Sequence, residues 1–344
     1  MSPTPRERFL AAARGESPDA PPAWMMRQAG RYLPEYRELR SGQTFMETLA
    51  KPDVVAEITL QPIRRFGMDA AVIFSDILVP CAAMGLDVSF VEKRGPVLEP
   101  QVRTRADVEA LKVPDPERDY AHLAEALRLV REDLGDERAL IGFCGAPWTI
   151  ASYMVEGGSS KNYENTKRLL YAEPETFDAL MTALVDALIP LLEVQVKAGA
   201  DLLQVFDSWG GAFDAATYRR AILPHLERLV AGAKATGVPV TLYANGGGHL
   251  MEELLDAKPD VISLDWRVDV EQVRSKVGSR VALQGNLDPC ILFADETTVR
   301  RETNRVLDAF QGHCGHIYNL GSGILPPTPI PSVKAMFETV YERR

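Results

Sequence analysis

Eight short apolar stretches punctuate the chain, at 23–28, 69–76, 140–145, 201–208, 239–246, 260–266, 280–287 and 316–321, and each runs into small or polar residues. They are continuous rather than alternating, the pattern of strands buried on both faces of a parallel sheet. Between them apolar residues recur at helical spacing over 54–66, 120–134, 174–198, 217–236, 249–256, 270–277 and 297–310. Pro52 and Pro174 stand near helix starts, where a missing N–H is tolerated. Eight strand–helix units predict an α/β chain folded as a single-domain (β/α)8 TIM-type barrel over 1–344, with an N-terminal extension at about 1–20. The rival is an open doubly wound sheet. The count of eight favours the barrel, as does the lack of a Gly-x-Gly-x-x-Gly turn after the first stretch.

Active sites of such barrels sit at the C-terminal ends of the strands. Here those ends carry Arg27-Gln28, Ser75-Asp76, Gly145 to Trp148, Asp207-Ser208-Trp209, Asn245-Gly246, Asp265-Trp266, Asn286 to Asp288 and Asn319 to Gly323. One rim is therefore expected to collect a cationic corner, several carboxylates and indole walls, without an obvious nucleophile–His–Asp set.

Composition narrows the function. With 46% hydrophobic and 25% charged residues the chain reads as an enzyme-sized globular protein. Its start has no apolar core of a secretory signal, and no uninterrupted apolar run approaches the roughly 18 residues of a transmembrane helix. Cys81, Cys144, Cys290 and Cys314 form no CxxC pair, which reads as reduced, cytoplasmic thiols. A formal charge of −10 argues against nucleic-acid binding, and no membrane partner is expected. Against that acidic background, residues 21–40 hold four arginines and only two glutamates, a local charge of +2.

Guanidinium forks match carboxylate geometry bidentately. Arg27 and Arg31, flanking Gln28-Ala29-Gly30, read as a carboxylate clamp; Arg37 and Arg40 read as flanking residues or partners of Glu35 and Glu38. Asp76 follows so apolar a stretch that its carboxylate reads as a desolvated fixed charge, or else as a cap on the next helix; Asp69 reads as a loop residue at the start of the same stretch. Tyr153, about two turns into a helix opened by Pro147, reads as a phenol donor or a packed core tyrosine. Ser208 reads equally as a ligand hydroxyl or a helix N-cap, with Asp207 and Trp209 undecided beside it. Gly157 to Lys161 lack phosphate-loop spacing. His313-Cys314-Gly315-His316 lacks the further ligands that zinc requires, so no metal is expected. His249 has a small claim on the site; His122 and His225 read as surface or packing residues.

Residues 22–37 (PAWMMRQAGRYLPEYR) and 142–158 (GFCGAPWTIASYMVEGG) carry a family resemblance, supported by 60–80, QGNLDP and YNLGSGILPPTP. Over essentially its whole length the chain resembles the uroporphyrinogen decarboxylase family. The resemblance implies a barrel, a homodimer in the cytoplasm, no metal or organic cofactor, and loss of four acetate carboxyls from uroporphyrinogen III as CO2 to give coproporphyrinogen III. It implies Arg27 and Arg31 as carboxylate binders, the Gln28-Ala29-Gly30 backbone lining the same site, and Asp76 as the central acceptor for pyrrole N–H groups. Tyr153 and Ser208 follow as substrate contacts. One position departs: Ser322 stands where the family pattern usually has a substrate-contacting histidine, and a serine is shorter and carries no charge. Two rivals remain at this stage. A zinc methyltransferase of the same barrel type needs a His/Cys cluster, and a binder without activity is suggested by Ser322 alone.

Overall fold

The computed structural model describes residues 2–91 and 94–344. Its strands are β1 (Ala70–Val72), β2 (Asp87–Val91), β3 (Gly95–Glu99), β4 (Ala139–Gly145), β5 (Leu202–Asp207), β6 (Val240–Ala244), β7 (Val261–Ser263), β8 (Ala282–Leu287) and β9 (His316–Leu320). Seven form one parallel sheet in the order β1-β4-β5-β6-β7-β8-β9, each step crossing through helix; β2 and β3 form a separate antiparallel hairpin. The sheet is an α/β barrel whose last staves are joined by a segment too irregular to be a strand.

That segment is the first expected strand, 23–28, and it is reduced to a single parallel bridge between Ala23 and Tyr318. The reason lies in side chains that intercept the backbone. The Met25 N–H donates to Gln28 Oε1 (3.0 Å) and the Met26 N–H to Asn319 Oδ1 (2.9 Å), so neither is left for a neighbouring strand. The second expected strand, 69–76, also stops early. Ile73 still donates to Ile141 O at 3.1 Å, but the Phe74 N–H is captured by Thr59 Oγ1 at 2.9 Å. The expected helix over 217–236 is two helices, Ala215–Ala221 and Leu223–Lys234. Pro224, without an N–H, breaks the ladder between them.

The barrel nonetheless closes. Tyr318 N donates to Pro22 O (2.8 Å) on the β9 side, and Asp69 N donates to Ala23 O (3.0 Å) on the β1 side. Asp69 also accepts the Ala23 N–H through Oδ2 (2.7 Å), receives Arg344 on the same oxygen, and has Arg8 at 3.9 Å. Its side chain is fully buried. Burial pushes its pKa up, while Arg344, the Ala23 N–H and Arg8 pull it back. The sequence reading placed Asp69 in a loop; it is the clasp of the seam.

Below the seam, Phe9, Ala12 and Ala13 of the Pro5–Ala13 helix pack with Trp24, Ile141, Leu202, Val261 and Ile317 to fill the barrel's lower lumen. Higher up, Trp24 Nε1 donates to Gln284 Oε1 (2.8 Å), and Gln284 donates to Ser263 (2.9 Å) and Gln204 (3.3 Å). Around the strands, helices bury a larger aliphatic shell. The Pro174–Lys197 helix belongs to that shell, against β4. Its best 18-residue window has a mean hydropathy of 1.7, long and apolar enough to cross a membrane by length and composition, and half of that window is buried. Asp178, Asp186 and Glu193 interrupt it, which is why no continuous apolar run was visible.

Asp69→Ala is expected to destabilise the protein by about 3–5 kcal/mol, since it strands the buried Ala23 N–H and the Arg344 guanidinium. Asp69→Asn, which keeps an acceptor, should lose less. Urea denaturation measures both, and a loss below about 1 kcal/mol for the alanine variant would deny the clasp its role.

Candidate functional site

Where 23–28 leaves the seam, the chain turns sharply, and Arg27 takes a left-handed conformation (φ 63°). For a non-glycine residue this costs of order 1 kcal/mol. The turn is held by Gln28, whose fully buried amide accepts from Met25 N and donates to Ala70 O at 3.0 Å. The Gln28 side chain is thus committed to structure, which leaves only its backbone for any ligand. Ala29 is half-buried against the core. Gly30 packs on Arg27 O, to which a Cβ would come within 3.2 Å. Arg27 and Arg31 are exposed, and among the described residues neither has a carboxylate partner.

Of the two readings for Arg37 and Arg40, pairing with Glu35 and Glu38 is not what forms. Glu35 is taken by Arg65 from the Pro52–Phe66 helix in a two-bond fork, at 2.7 and 2.9 Å. Arg40 instead donates to Tyr36 Oη, Thr48 Oγ1 and Gln43 O, and lies 5.2 Å from the Phe45 ring centre. The basic stretch divides: Arg40 is structural, and among the described residues Arg27 and Arg31 have no carboxylate partner.

Asp76 lies four residues beyond β1. Its Oδ1 accepts the Leu78 N–H at 2.9 Å, a local turn ahead of the Val79–Ala83 helix, whose N-cap is Leu78 and which has no side-chain cap, so Asp76 is not that helix's cap. The carboxyl keeps some exposure, but dense protein around it makes burial dominant. Its pKa rises to about 6, against the opposing pull of the Leu78 N–H and the Arg27 charge. Tyr153 sits on the Pro147–Glu156 helix, which ends at a left-handed Gly157. Burial raises the phenol's pKa, Asp76 raises it further, and Ser159 and Arg27 lower it. Asp76, Tyr153 and Arg27 therefore share one electrostatic neighbourhood. The Gly157-Gly158 tail receives the β2–β3 hairpin: Val97 pairs with Gly158, whose Cβ, if present, would lie 2.8 Å from Pro96 O.

Across the rim, Arg27 rests on the last barrel loop. A Cβ on Gly323 would stand 2.5 Å from Arg27 Cδ and 2.9 Å from Cγ, so the arginine stem occupies the space that only glycine leaves. Ile324 N donates to Met26 O at 3.0 Å, which locks the two loops together. Ser322, half-buried between Gly321 and Gly323, faces the Tyr243 hydroxyl, which also donates to Gly321 O at 3.0 Å. Burial drives the Tyr243 pKa up to about 12; Ser322, Arg267 and Arg27 pull it down, and Asp265 pushes it up.

Ser208 is half-buried with its carbonyl receiving Asn245 Nδ2 at 3.3 Å. It is not a helix cap; Asp214 performs that task, accepting Thr217 N at 3.0 Å. Asp207 is fully buried and structural, bound by Thr149 (2.7 Å) and Tyr218 (3.3 Å), and burial lifts its pKa to about 6. Trp209 lies 6.0 Å, centre to centre, from Tyr153 and forms an indole wall.

Two rim features escaped the sequence reading. Tyr243 was hidden inside an apolar strand. Arg267 followed an expected strand end by one residue, and its only signal was an arginine after Asp265-Trp266. Three histidines are occupied by backbone carbonyls or packing. His249 meets Phe213 O at 2.7 Å and His313 meets Val281 O at 3.1 Å. His316 is stacked 3.9 Å from Phe310, with its pKa pressed down to about 3 by burial. Among the described residues no three His, Cys, Asp or Glu side chains are grouped to hold a metal ion. A surface recess of about 410 Å³ lies at the opposite, N-terminal end of the strands, lined by Arg14, Lys234, Lys258, Asp260 and Arg280.

The family described as "Uroporphyrinogen decarboxylase (URO-D)" matches residues 4–343. The chain is similar to the uroporphyrinogen decarboxylase of Alkalilimnicola ehrlichii, at 46% identity over 99% of this chain and 95% of that protein. It is similar to that of Myxococcus xanthus at 46% identity, covering 97% and 96%, and to that of Geobacter metallireducens at 44%, covering 97% and 98%. Among solved structures, a methyltransferase from Methanosarcina mazei has a TM-score of 0.84 at 22% identity, covering 98% of each chain, a likeness of fold alone. With the match running from the capped first helix to the last, the chain belongs to the uroporphyrinogen decarboxylase family.

Proposed function

We propose that this chain, acting as one barrel domain with residues 1–20 as an extension, decarboxylates uroporphyrinogen III. It removes the four acetate carboxyls as CO2 to give coproporphyrinogen III for haem synthesis, without a cofactor. Family membership supports the reaction. The observation that carries the chemistry is the desolvated Asp76 carboxyl on the C-terminal rim, within reach of the Arg27 charge. A homodimer in the cytoplasm goes with this reading, resting on the family resemblance and on four unpaired thiols.

Loss of CO2 from an acetate arm leaves an electron pair that needs a sink. A pyrrole becomes that sink once a ring carbon is protonated, because the ring is then an iminium-like cation. The C–CO2 bond breaks, its pair neutralises the ring, and protonation of the exocyclic carbon with loss of the ring proton leaves a methyl group. The protein's part is to hold the polyanion, favour the cation and admit protons. Arg27 and Arg31 grip carboxylates that stay. Asp76, ionised above about pH 6, accepts pyrrole N–H groups and stabilises the positive charge as it develops, a preorganised electrostatic effect in a partly dry site. Tyr153, its pKa raised, stays protonated and donates. Ser208 and the Ser322 hydroxyl, backed by Tyr243, supply neutral hydrogen bonds.

Anaerobic incubation with uroporphyrinogen III, followed by oxidation and chromatography, is expected to yield the four-carboxylate product. Persistence of the eight-carboxylate porphyrin would defeat the reading. Asp76→Asn should lower kcat by about 10²–10³-fold, or about 2.7–4 kcal/mol, with a much smaller change in KM. A kcat within twofold of wild type would remove Asp76 from the mechanism.

The direction of the Asp76 shift sets the pH dependence. Its pKa is raised from the usual carboxylate value to about 6, and the ionised form is the working one. Hence kcat/KM should fall about tenfold per unit as pH drops below about 6, and the fall should disappear in Asp76→Asn. A wild-type profile flat down to pH 5 would contradict the assignment. Gly323→Ala, which displaces the Arg27 stem, is expected to raise KM about tenfold, about 1.4 kcal/mol of binding; steady-state kinetics reads this directly, and an unchanged KM would mean that Arg27 does not bind substrate from this seat.

A further inference from the structure

Resting on the proposed decarboxylase reading, the geometry points to Arg267 as a further guanidinium arm of the polycarboxylate site, set across the Gly321–Gly323 loop from Arg27. Contacts run unbroken between the two arginines. The Arg27 stem lies on Gly323. Two residues back, Gly321 is pressed on the Trp266 backbone, where a Cβ would come within 2.3 Å of the Trp266 nitrogen. The Trp266 ring in turn carries the Arg267 guanidinium, 3.8 Å from its centre. Ser322 sits between the two cations, with the Tyr243 hydroxyl behind it.

Arg267 is held as a binding arm is held. The fully buried Asp265 accepts the Arg267 N–H at 2.7 Å through Oδ1. Its Oδ2 accepts Gly246 N and Arg267 Nη1, the latter at 3.3 Å. Nη1 also donates to Asn245 Oδ1 at 3.2 Å, and the other end of that amide bonds Ser208 O. Both guanidinium bonds use the same nitrogen, Nη1. Among the described residues, Nε and Nη2 have no acceptor, and the side chain is 53% exposed. The Nε–Nη2 edge is the one that receives a carboxylate in a two-bond fork. A surface arginine that merely neutralised Asp265 would not need an indole bed, nor leave that edge unpaired. Stacking and the buried carboxylate fix the side chain before ligand arrives, so less entropy is lost on binding.

Asp265 is then a positioning residue, Arg267 a substrate-binding one, and the chemical group recognised is a carboxylate of the tetrapyrrole. With Arg27 on one side of Ser322 and Arg267 on the other, this wall offers two charged forks where a serine alone offers only a hydroxyl.

The test compares wild type, Arg267→Gln and Arg267→Lys by fluorescence titration with oxidised uroporphyrin, the eight-carboxylate ligand, at low and high salt, alongside kcat and KM for uroporphyrinogen. Arg267→Gln is expected to bind the porphyrin about tenfold more weakly and with less salt dependence, to raise KM similarly, and to hold kcat within about threefold. Arg267→Lys keeps the charge beside Asp265 but loses the fork, and should fall in between. Unchanged porphyrin affinity in Arg267→Gln, or a loss confined to kcat, would overturn the assignment; if that variant misfolds by thermal melting, wild-type affinity in Arg267→Lys overturns it instead. The titration is independent of turnover, so a wild type that binds porphyrin but decarboxylates nothing would sink the decarboxylase reading and leave the Arg267 result standing.

Discussion

The Asp69 carboxylate and backbone hold Ala23 against the first sheet strand while Tyr318 holds the same segment against the last. Everything on the rim depends on that seam. The site's first arginine arrives on the one stave that is not a regular strand, so its position is set by two backbone pairs and a buried carboxylate rather than by a ladder. Arg8 and Arg344 reach the same carboxylate from outside the sheet, which ties both flanking segments to the closure. A buried charge is costly unless paired and hydrogen-bonded; Asp69 is stable there because the seam supplies its partners.

From the seam outward, one logic recurs. Side-chain amides replace backbone ladder bonds where the chain must turn: Gln28 and Asn319 take the Met25 and Met26 N–H groups, and Asn245 bridges Ser208 to Arg267. These amides free the main chain to leave strand geometry without orphaning the backbone N–H groups of Met25 and Met26. Glycines then let the freed loops touch, Gly323 under Arg27 and Gly321 against Trp266. The result is a rim on which cations are exposed and carboxylates are desolvated, the reverse of an ordinary protein surface. Such a rim suits a polyanion whose reacting ring turns cationic.

Much of this was legible in the sequence. Apolar runs located seven of the eight barrel positions within a few residues, and the strand ends placed Arg27, Asp76, Ser208 and Ser322 on one rim, with Tyr153 on a helix that follows one of those ends. Several features were not legible. The first stave was read as a strand because apolar periodicity cannot show that a glutamine and an asparagine will take its N–H groups. Asp69 looked like a loop residue because its partners are Ala23, Arg8 and Arg344, all distant in sequence. Arg37 and Arg40 read as flanking residues or as partners of Glu35 and Glu38, and the pairing alternative fails for Glu35 because the Pro52–Phe66 helix presents Arg65 to it in a two-bond fork. Tyr243 and Arg267 join the site only through loops brought beside them by barrel closure.

The sequence by itself determined the family, the fold class and the residue types at the strand ends, because local periodicity and long matched motifs are properties of the chain alone. Tertiary structure decided which charges are paired and which are free, how far burial shifts Asp76, and which glycine lies under which arginine. Those depend on distances between residues far apart in sequence and on the burial around them, and these set electrostatic energy, desolvation and steric contact.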